Sequence, residues 1–545
     1  MASLQFSPSN IGAFTTTKIA SPASTAPLHL LPSSSYRLHR MKVHCQTNPE
    51  DQKSRTVAKT LPPGPMKLPI IGNLHNLAGN LPHLALSELA KEYGPIMHLQ
   101  MGEISSVVVS DAKMAKEVLK THDLKFAQRP QLLVAQIVIY DGKDIAFSPY
   151  GEYYKQIKKI SSTELLGPKR VQAFASLREN EVDKLIDSVR RSVGKPMDFG
   201  ENVYRLTNVI ICKAAFGEEC KEQDAVIKLG KEATDLAGGF NIADLFPSLT
   251  FLHGITGEKR RFEKLRDEFD RMLTNIVEDH MKKLLTKSGN SDESEREDLV
   301  DSLLKLQASG HFKSPLTMDH IKAVVLDLFI AGTETSSTTV EWAMSEMIRN
   351  PRVLKKAQEE VREALKGKET IRDADVQDLK YLNLIMKETL RLHPPVPMLL
   401  PRESNERCEI AGYELPVKTK MIVNAYAIGR DPKVWRDAEE FKPERFLDMP
   451  VDFIGMDFEY IPFGGGRRIC PGMAFGVANM QLPLARLLYH FDWTLPDGAT
   501  PENLDMSETF GASISRKTKL YLIPTLYEPS KDESTHYKEA MKVLN

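Results

Sequence analysis

Between Met1 and Pro49 there is not one aspartate or glutamate, although the whole chain carries 73 acidic residues against 72 Lys and Arg. Lys18, Arg37, Arg40 and Lys42 leave this stretch basic among many Ser and Thr. That is the composition of an organelle transit peptide, and chloroplast import is its favoured form. Residues 1–50 are therefore expected to be removed, with cleavage near Cys45. A second absence is an apolar run of about 20 residues, the length a membrane-spanning helix needs. The best N-terminal stretch, Ala26–Pro32, is short and broken by proline and histidine. The expectation is a mature chain without a transmembrane anchor, either soluble or held only at a membrane surface. Cysteine is scarce too. The five residues (Cys45, Cys212, Cys220, Cys408, Cys470) are odd in number and unclustered, which points to neither a disulfide framework nor a zinc site. With a formal net charge of −1 and no basic stripe, nucleic acid is excluded as a partner. No internal repeat is visible.

What the chain does have is 41% hydrophobic and 27% charged residues, arranged as helical patterns from about Leu81 to Leu526 around one large core. Residues 51–75 read as a stiff extended hinge, because proline at Pro62, Pro63, Pro65 and Pro69 fixes φ and removes donors. Residues 76–527 form the folded domain, and residues 528–545 a polar tail. Pro82–Tyr93 reads as an amphipathic helix. Ile96–Met101 and Ile104–Ser110 read as strands joined at Gly102-Glu103. The longest helix is expected over Met318–Asn350, ended by Pro351. Its middle, Ile321–Ala331, is apolar apart from Lys322 and Asp327, so it is expected to be buried. Within that buried helix the run Ala331-Gly332-Thr333-Glu334-Thr335-Ser336 breaks the local rules. Local rules failing in a buried place mark a functional site. Lys287–Asp298 reads as an exposed loop.

The densest signal is Phe463-Gly464-Gly465-Gly466-Arg467-Arg468-Ile469-Cys470-Pro471-Gly472. It sets one cysteine in a glycine-rich, cationic loop that leads into the helix Met473–Leu488, which Pro471 and Gly472 are expected to start. Freed backbone N–H groups and a helix N-terminus both favour a thiolate there.

This pattern, F-x-x-G-x-R-x-C-x-G, resembles the haem-binding signature of the cytochrome P450 family, and Ala331–Thr335 resembles that family's oxygen-binding motif. The resemblance implies a single large fold, mainly α with smaller β-sheets and a long central helix, holding haem b (iron-protoporphyrin IX). It implies that Cys470 is the metal's axial ligand and that Arg468 and Arg402 bind haem propionates. Phe463, Gly466 and Gly472 would complete the cofactor's loop. Ala331 and Gly332 would leave room for dioxygen, with Thr335 supplying a catalytic hydrogen bond and Glu334 relaying protons. Where the family has Trp and Arg four apart, Tyr154 and Lys158 stand here, so Lys158 takes the propionate as a point charge. Glu388 and Arg391 on the helix Leu382–Leu392, together with Arg445, match the family's buried ion network. The lysines Lys155, Lys158 and Lys159 also offer a docking face for an acidic electron donor.

By the same resemblance Leu132–Tyr140, Val325–Ala331, Val396–Leu400 and Phe510–Ile514 surround a hydrophobic substrate, and Gly239–Phe251 forms its roof or touches membrane. Since the chain has no flavin or nicotinamide domain, electrons must come from a partner, either an NADPH-cytochrome P450 reductase or a plastid ferredoxin. The chain looks like the plant 71 clan, and most like the plastidial diterpenoid (casbene) oxidases of the spurge family. That implies a monooxygenase performing allylic oxidation of a macrocyclic diterpene to an alcohol or ketone in the plastid. Two alternatives stay open at this point: a plastidial haem-thiolate isomerase or dehydratase acting on hydroperoxides, and a non-catalytic haem-binding protein.

Overall fold

Strand alternation explains why the small sheet is buried on both faces. Its four strands are β1 (Ile96–Met101), β2 (Ile104–Val109), β3 (Arg402–Glu403) and β4 (Lys420–Val423), in spatial order β1-β2-β4-β3. The β1–β2 pair is antiparallel with Ile96 opposite Val109, while β2 and β4 run parallel. Successive side chains point to opposite faces. Val107, Val109, Met421 and Val423 thus join a core with Phe126 and Ile428. Met97, Leu99, Val108 and Ile422 join another with Leu86 of α1 (Pro82–Tyr93). The strands and the first helix lie where the sequence predicts them, and β2 ends one residue early. The structure, a computed structural model, describes residues 61–217, 223–236, 238, 241–249, 256–286, 297–310, 315–368, 370–509 and 511–528. The expected transit peptide (residues 1–50), the start of the expected hinge, Cys45, Cys220, Phe510, most of the Lys287–Asp298 loop and residues 529–545 lie outside them.

The described part of the proline-rich segment is laid along β1. Pro63 accepts the His98 N–H at 2.8 Å, and the Asn73 side chain donates to Pro65 O at 3.1 Å while accepting from Gln100 N at 2.8 Å.

Helices make up most of the remainder. Those that position the site are α2 (Glu152–Ile160), α3 (Phe199–Phe216), α4 (Met318–Arg349), α5 (Lys380–Leu392) and α6 (Met473–His490). At 1.5 Å per residue α4 is about 48 Å long. It starts at a Thr317–His320 capping box and stops at Asn350, which caps the helix opened by Pro351. Its hydroxyls turn back on their own helix: Thr333 donates to Phe329 O at 2.8 Å and Thr339 to Thr335 O at 2.8 Å. Such bonding satisfies buried hydroxyls at the cost of a slight bend. α6 begins at Met473 and runs through Pro483, with Gly472 as its N-cap, so Pro471 and Gly472 precede the helix instead of starting it.

Candidate active site

A cavity of about 400 Å³ lies between α4 and the Cys470 loop. Of the residues singled out in the sequence, Cys470, Phe463, Gly472, Arg468, Arg402, Lys158, Ala331, Gly332, Glu334 and Thr335 all line it. Gly466 does not. A β-carbon there would fall 1.9 Å from the Leu119 carbonyl oxygen, and its φ is +65°. It lets the loop pack against the residues that follow β2.

The loop is held from outside the cysteine. Cys470 N donates to Phe463 O at 3.0 Å, and Asp123 accepts Arg467 N at 3.0 Å. Burial pushes the Cys470 thiol up, against the Gly472 N–H and the Lys158 charge that favour the thiolate. A metal ion on the sulfur would favour the thiolate further, since coordination deprotonates a thiol. Lys158, held at about 8 by burial, donates to the Ile469 carbonyl and faces both Cys470 and Arg468. Its ammonium serves the loop backbone and is turned inward. Lys155 and Lys159 remain on the surface of α2.

Above the loop three guanidiniums converge. Arg468 donates to Ala127 O (2.9 Å), Ser148 O (2.6 Å) and Ile145 O (3.4 Å), and stacks 3.6 Å over the Tyr154 ring. Tyr154 thereby supplies the flat face where a tryptophan was expected, and fixes itself through its hydroxyl to Arg467 O at 2.7 Å. Arg402 donates to Gly465 O at 2.8 Å and pairs with Asp123 at 3.2 Å. The third is Arg129, which the sequence reading missed. It donates to Ala146 O, Leu400 O and Pro401 O, each at 2.8 Å. Burial, then Arg468 and Arg402, push it well down from its ordinary value. Among the described residues only Asp123 forms an ion pair with any of the three. Buried positive charge in such excess fits a ligand with two carboxylates on one edge, and the apolar walls below fit a flat apolar ring. The residues present thus fit haem b. Arg129→Gln is accordingly expected to lower cofactor retention at least as much as Arg402→Gln, since Arg402 keeps Asp123. Haem content after gel filtration checks this; unchanged retention in Arg129→Gln would overturn it.

On the opposite wall stands α4. Ala331 faces the cavity. Gly332 also lines it, but a β-carbon there would meet Ile211 Cδ1 of α3 at 2.4 Å, so this glycine serves close helix packing as well. Thr335 Oγ1 donates to Ala331 O at 2.7 Å and keeps its lone pairs for a donor in the cavity. Glu334 Oε1 accepts from Ser513 Oγ at 3.2 Å, and burial raises its carboxyl so that it holds a proton more readily. Asp327 is pushed to about 6 by burial, against the N–H groups of Ile145 and Ala146 that it accepts at 3.1 Å each. It ties α4 to the segment carrying Arg468's carbonyl partners. Leu132, Val138, Leu328, Val396, Leu399 and Ile514 give the rest of the wall its apolar character, as the placement of those segments predicted. The described part of Gly239–Phe251 lines none of it. That segment packs on the sheet, where Glu103 N donates to Leu245 O at 2.8 Å.

Behind the loop, Glu388, Arg391 and Arg445 are buried together as expected. Glu388 accepts from Arg391 Nε (2.7 Å) and Nη2 (2.8 Å), Arg445 Nε (2.9 Å) and Lys442 N (2.8 Å).

A cysteine facing a tetrapyrrole-sized cavity, crossed by a long helix bearing an acid and a threonine, defines a haem-thiolate protein. The family model described as cytochrome P450 matches residues 62–524. Premnaspirodiene oxygenase of Hyoscyamus muticus is 53% identical over 481 residues, covering 88% of this chain and 96% of that protein. Desmethyl-deoxy-podophyllotoxin synthase of Sinopodophyllum hexandrum is 55% identical, covering 86% and 92%. 5-Epiaristolochene 1,3-dihydroxylase of Nicotiana tabacum is 50% identical, covering 88% and 96%. The structure superposes on a zebra fish cytochrome P450 with progesterone at a TM-score of 0.70 and 26% identity, covering 82% of this chain and 99% of that one. The chain belongs to the cytochrome P450 family, in its plant 71D group. It is a monooxygenase whose cofactor is haem b with a cysteine ligand. No helix among the described residues is long and apolar enough to cross a membrane.

Proposed function

We propose that this enzyme hydroxylates a terpene hydrocarbon, inserting one oxygen atom from dioxygen into an unactivated or allylic carbon. The observation that carries the reading is the cavity wall: apolar side chains surround the space between α4 and the cysteine loop, with Glu334, Thr335 and Ser513 as hydroxyl and carboxyl groups at one side. Such a wall orients a hydrocarbon by shape, since it offers few polar anchors. Relatives named for premnaspirodiene and 5-epiaristolochene support a sesquiterpene ahead of the macrocyclic diterpene, casbene, that the sequence suggested. When bound, the haem supplies the electron-transfer and oxygen chemistry. The chain's own residues do the rest. Cys470 ligates the metal, the three arginines hold the propionate edge, Thr335 orients an oxygen-bearing group by hydrogen bonding, and Glu334 delivers protons. The acid–threonine pair on the cavity wall supports oxygen activation over hydroperoxide isomerisation. Electrons come from an NADPH-dependent reductase. The acid-free N-terminal composition supports a plastid address, where ferredoxin would be the competing donor.

The test is a product assay on the full chain with sesquiterpene and diterpene hydrocarbons, NADPH, a plant reductase or ferredoxin, and isotope-labelled dioxygen. Label is expected in one sesquiterpene product, and both Thr335→Ala and Glu334→Gln should divert electrons to hydrogen peroxide. Label only in casbene would restore the diterpene reading, and consumption of a hydroperoxide without reductase would replace hydroxylation altogether.

A further inference from the structure

The helix Glu258–Thr286 turns an apolar stripe inward, formed by Phe262, Leu265, Phe269, Leu273 and Val277. The last buried residue on that stripe is a histidine, His280, which is 3% exposed. Both of its ring nitrogens meet acceptors. Nδ1 lies 2.7 Å from Ile276 O, and Nε2 lies 2.8 Å from Asp298 Oδ2. A carbonyl oxygen only accepts, so Nδ1 carries a hydrogen. An ionised carboxylate also only accepts, so a further proton has to lie between Nε2 and Oδ2. A neutral ring supplies one donor and not two. The pair closes only while it holds that extra proton.

Asp298 is where three helices meet. Its Oδ1 caps the helix Leu299–Ser309 by accepting Asp301 N at 2.8 Å, and its carbonyl oxygen accepts from Arg170 Nη2 at 3.3 Å. At the end of α3, Gly217 has φ +74°, and a β-carbon there would fall 2.9 Å from Asp298 Oδ2. The glycine lets α3 end against the carboxylate. Earlier on the histidine's own helix, Asp270 accepts the Tyr140 hydroxyl at 2.7 Å and Lys322 Nζ of α4 at 3.0 Å. Tyr140 follows Val138 and Ile139, which line the cavity. Tyr140 and Asp141 have φ of +48° and +64°, a left-handed backbone that side-chain-bearing residues keep only when their surroundings enforce it.

We propose that His280 and Asp298 form a proton-held clasp that docks the helix Glu258–Thr286 and, through Asp270 and Tyr140, makes the cavity wall firmer at acid than at alkaline pH. Burial alone would lower the imidazole, but the hydrogen bond and charge of Asp298 outweigh it and hold its proton above the ordinary histidine value. Asp301 adds to this from the helix Leu299–Ser309, and Glu297 pairs with Lys305 at 2.9 Å on the same side. From α3 the clasp meets Gly217, which has no charge. Because the folded-state value is raised, the clasp contributes fully below the ordinary value of 6.5 and is lost as pH rises from there through the raised one. Beyond it a lone pair on Nε2 faces a buried carboxylate with no donor between them.

Amide hydrogen exchange of the haem-loaded full chain, read by mass spectrometry from about pH 6 to about pH 9, tests the clasp. Asp298→Asn is the informative variant. Its amide oxygen still caps Asp301 N, and its NH2 donates to a neutral Nε2, so the contact needs no extra proton. Relative to Asp298→Asn at the same pH, wild-type protection of residues 273–286 should fall by up to about tenfold per pH unit above about 6.5, then level off. His280→Phe, which fills the stripe, should give a flat profile at lower protection. Residues 133–147 should follow the helix in wild type, and Tyr140→Phe should break that link while the helix keeps its response. A wild-type to Asp298→Asn ratio that stays flat with pH overturns the clasp. A ratio that moves at the helix but not at residues 133–147 overturns its coupling to the cavity wall.

Discussion

Cys470→Ala is expected to abolish monooxygenase activity while leaving the chain folded. The two effects separate because the loop does not depend on the thiol. Its conformation is fixed by backbone and by neighbours: Cys470 N to Phe463 O, Asp123 to Arg467 N, Arg402 to Gly465 O, and Gly466 against Leu119. The sulfur itself faces the cavity, with the Gly472 amide and the Lys158 charge acting on it. Loss of one exposed-to-cavity sulfur atom therefore removes little packing. Chemistry suffers far more. Removing mere outer partners of a metal ligand costs about 10–100-fold, so losing the ligand itself must exceed that. Far-UV circular dichroism should match wild type, and the thermal midpoint should match that of haem-free wild type, because bound cofactor itself stabilises the folded state. Iron content per chain and the carbon monoxide difference spectrum should not. Retained turnover in Cys470→Ala would remove the cysteine from the mechanism and with it the assignment of the cavity.

The features legible in sequence were those whose partners are close in sequence or whose spacing is periodic. Helix ends at Pro82, Thr317 and Pro351 follow from caps and proline, and the strand pair β1–β2 follows from alternation around Gly102. The cysteine loop and the Ala331–Thr335 run announce themselves because both break local rules. What was hidden depends on long-range contact. Arg129 lies in Phe126-Ala127-Gln128-Arg129-Pro130, a stretch with no periodicity, and its position beside Arg468 and Arg402 arises only when segments some 270 and 340 residues apart meet. An arginine just before proline in an apolar run was the available signal. Gly332 and Gly466 were read as cofactor contacts since glycine permits close approach. Sequence does not say to whom, and the close neighbours are Ile211 and the Leu119 carbonyl. Ser513 falls in the segment Phe510–Ile514 that the sequence places at the cavity, but its bond to Glu334 was hidden for the same reason. The choice of substrate is hidden more deeply still: an apolar wall of Leu, Ile and Val recognises shape, and shape is set by many side chains at once.

Glu388→Gln should be the most destabilising of the single substitutions at the core of the fold. The carboxylate is fully buried, as is Arg391, and Arg445 is nearly so. Four donors converge on its two oxygens. Arg391 spends its remaining N–H groups on Gly429 O and Ala438 O at 2.7 Å each, and on Glu440 O at 3.1 Å. Arg445 likewise reaches Asp437 O at 2.9 Å. The two arginines therefore stitch α5 to the segment Gly429–Arg445 that leads into the cysteine loop, and Glu388 is the single anion among them. The amide variant keeps size but loses charge, and turns an NH2 group toward at least one guanidinium. Breaking a buried pair from one side costs about 3–5 kcal/mol, because the partner's charge is left uncompensated. Two partners are stranded here, so the upper end of that range applies. An exposed pair supplies the contrast: Lys91 and Glu88 are 69% and 70% exposed at 2.6 Å, and such pairs are screened by water and salt. Thermal melts of Glu388→Gln and Glu88→Gln, followed together with haem retention, decide the matter. The first should melt many degrees lower and lose haem on purification, while the second melts as wild type. Equal midpoints for the two would mean that the buried network contributes nothing beyond a surface pair, and that the cysteine loop is held by its own contacts alone.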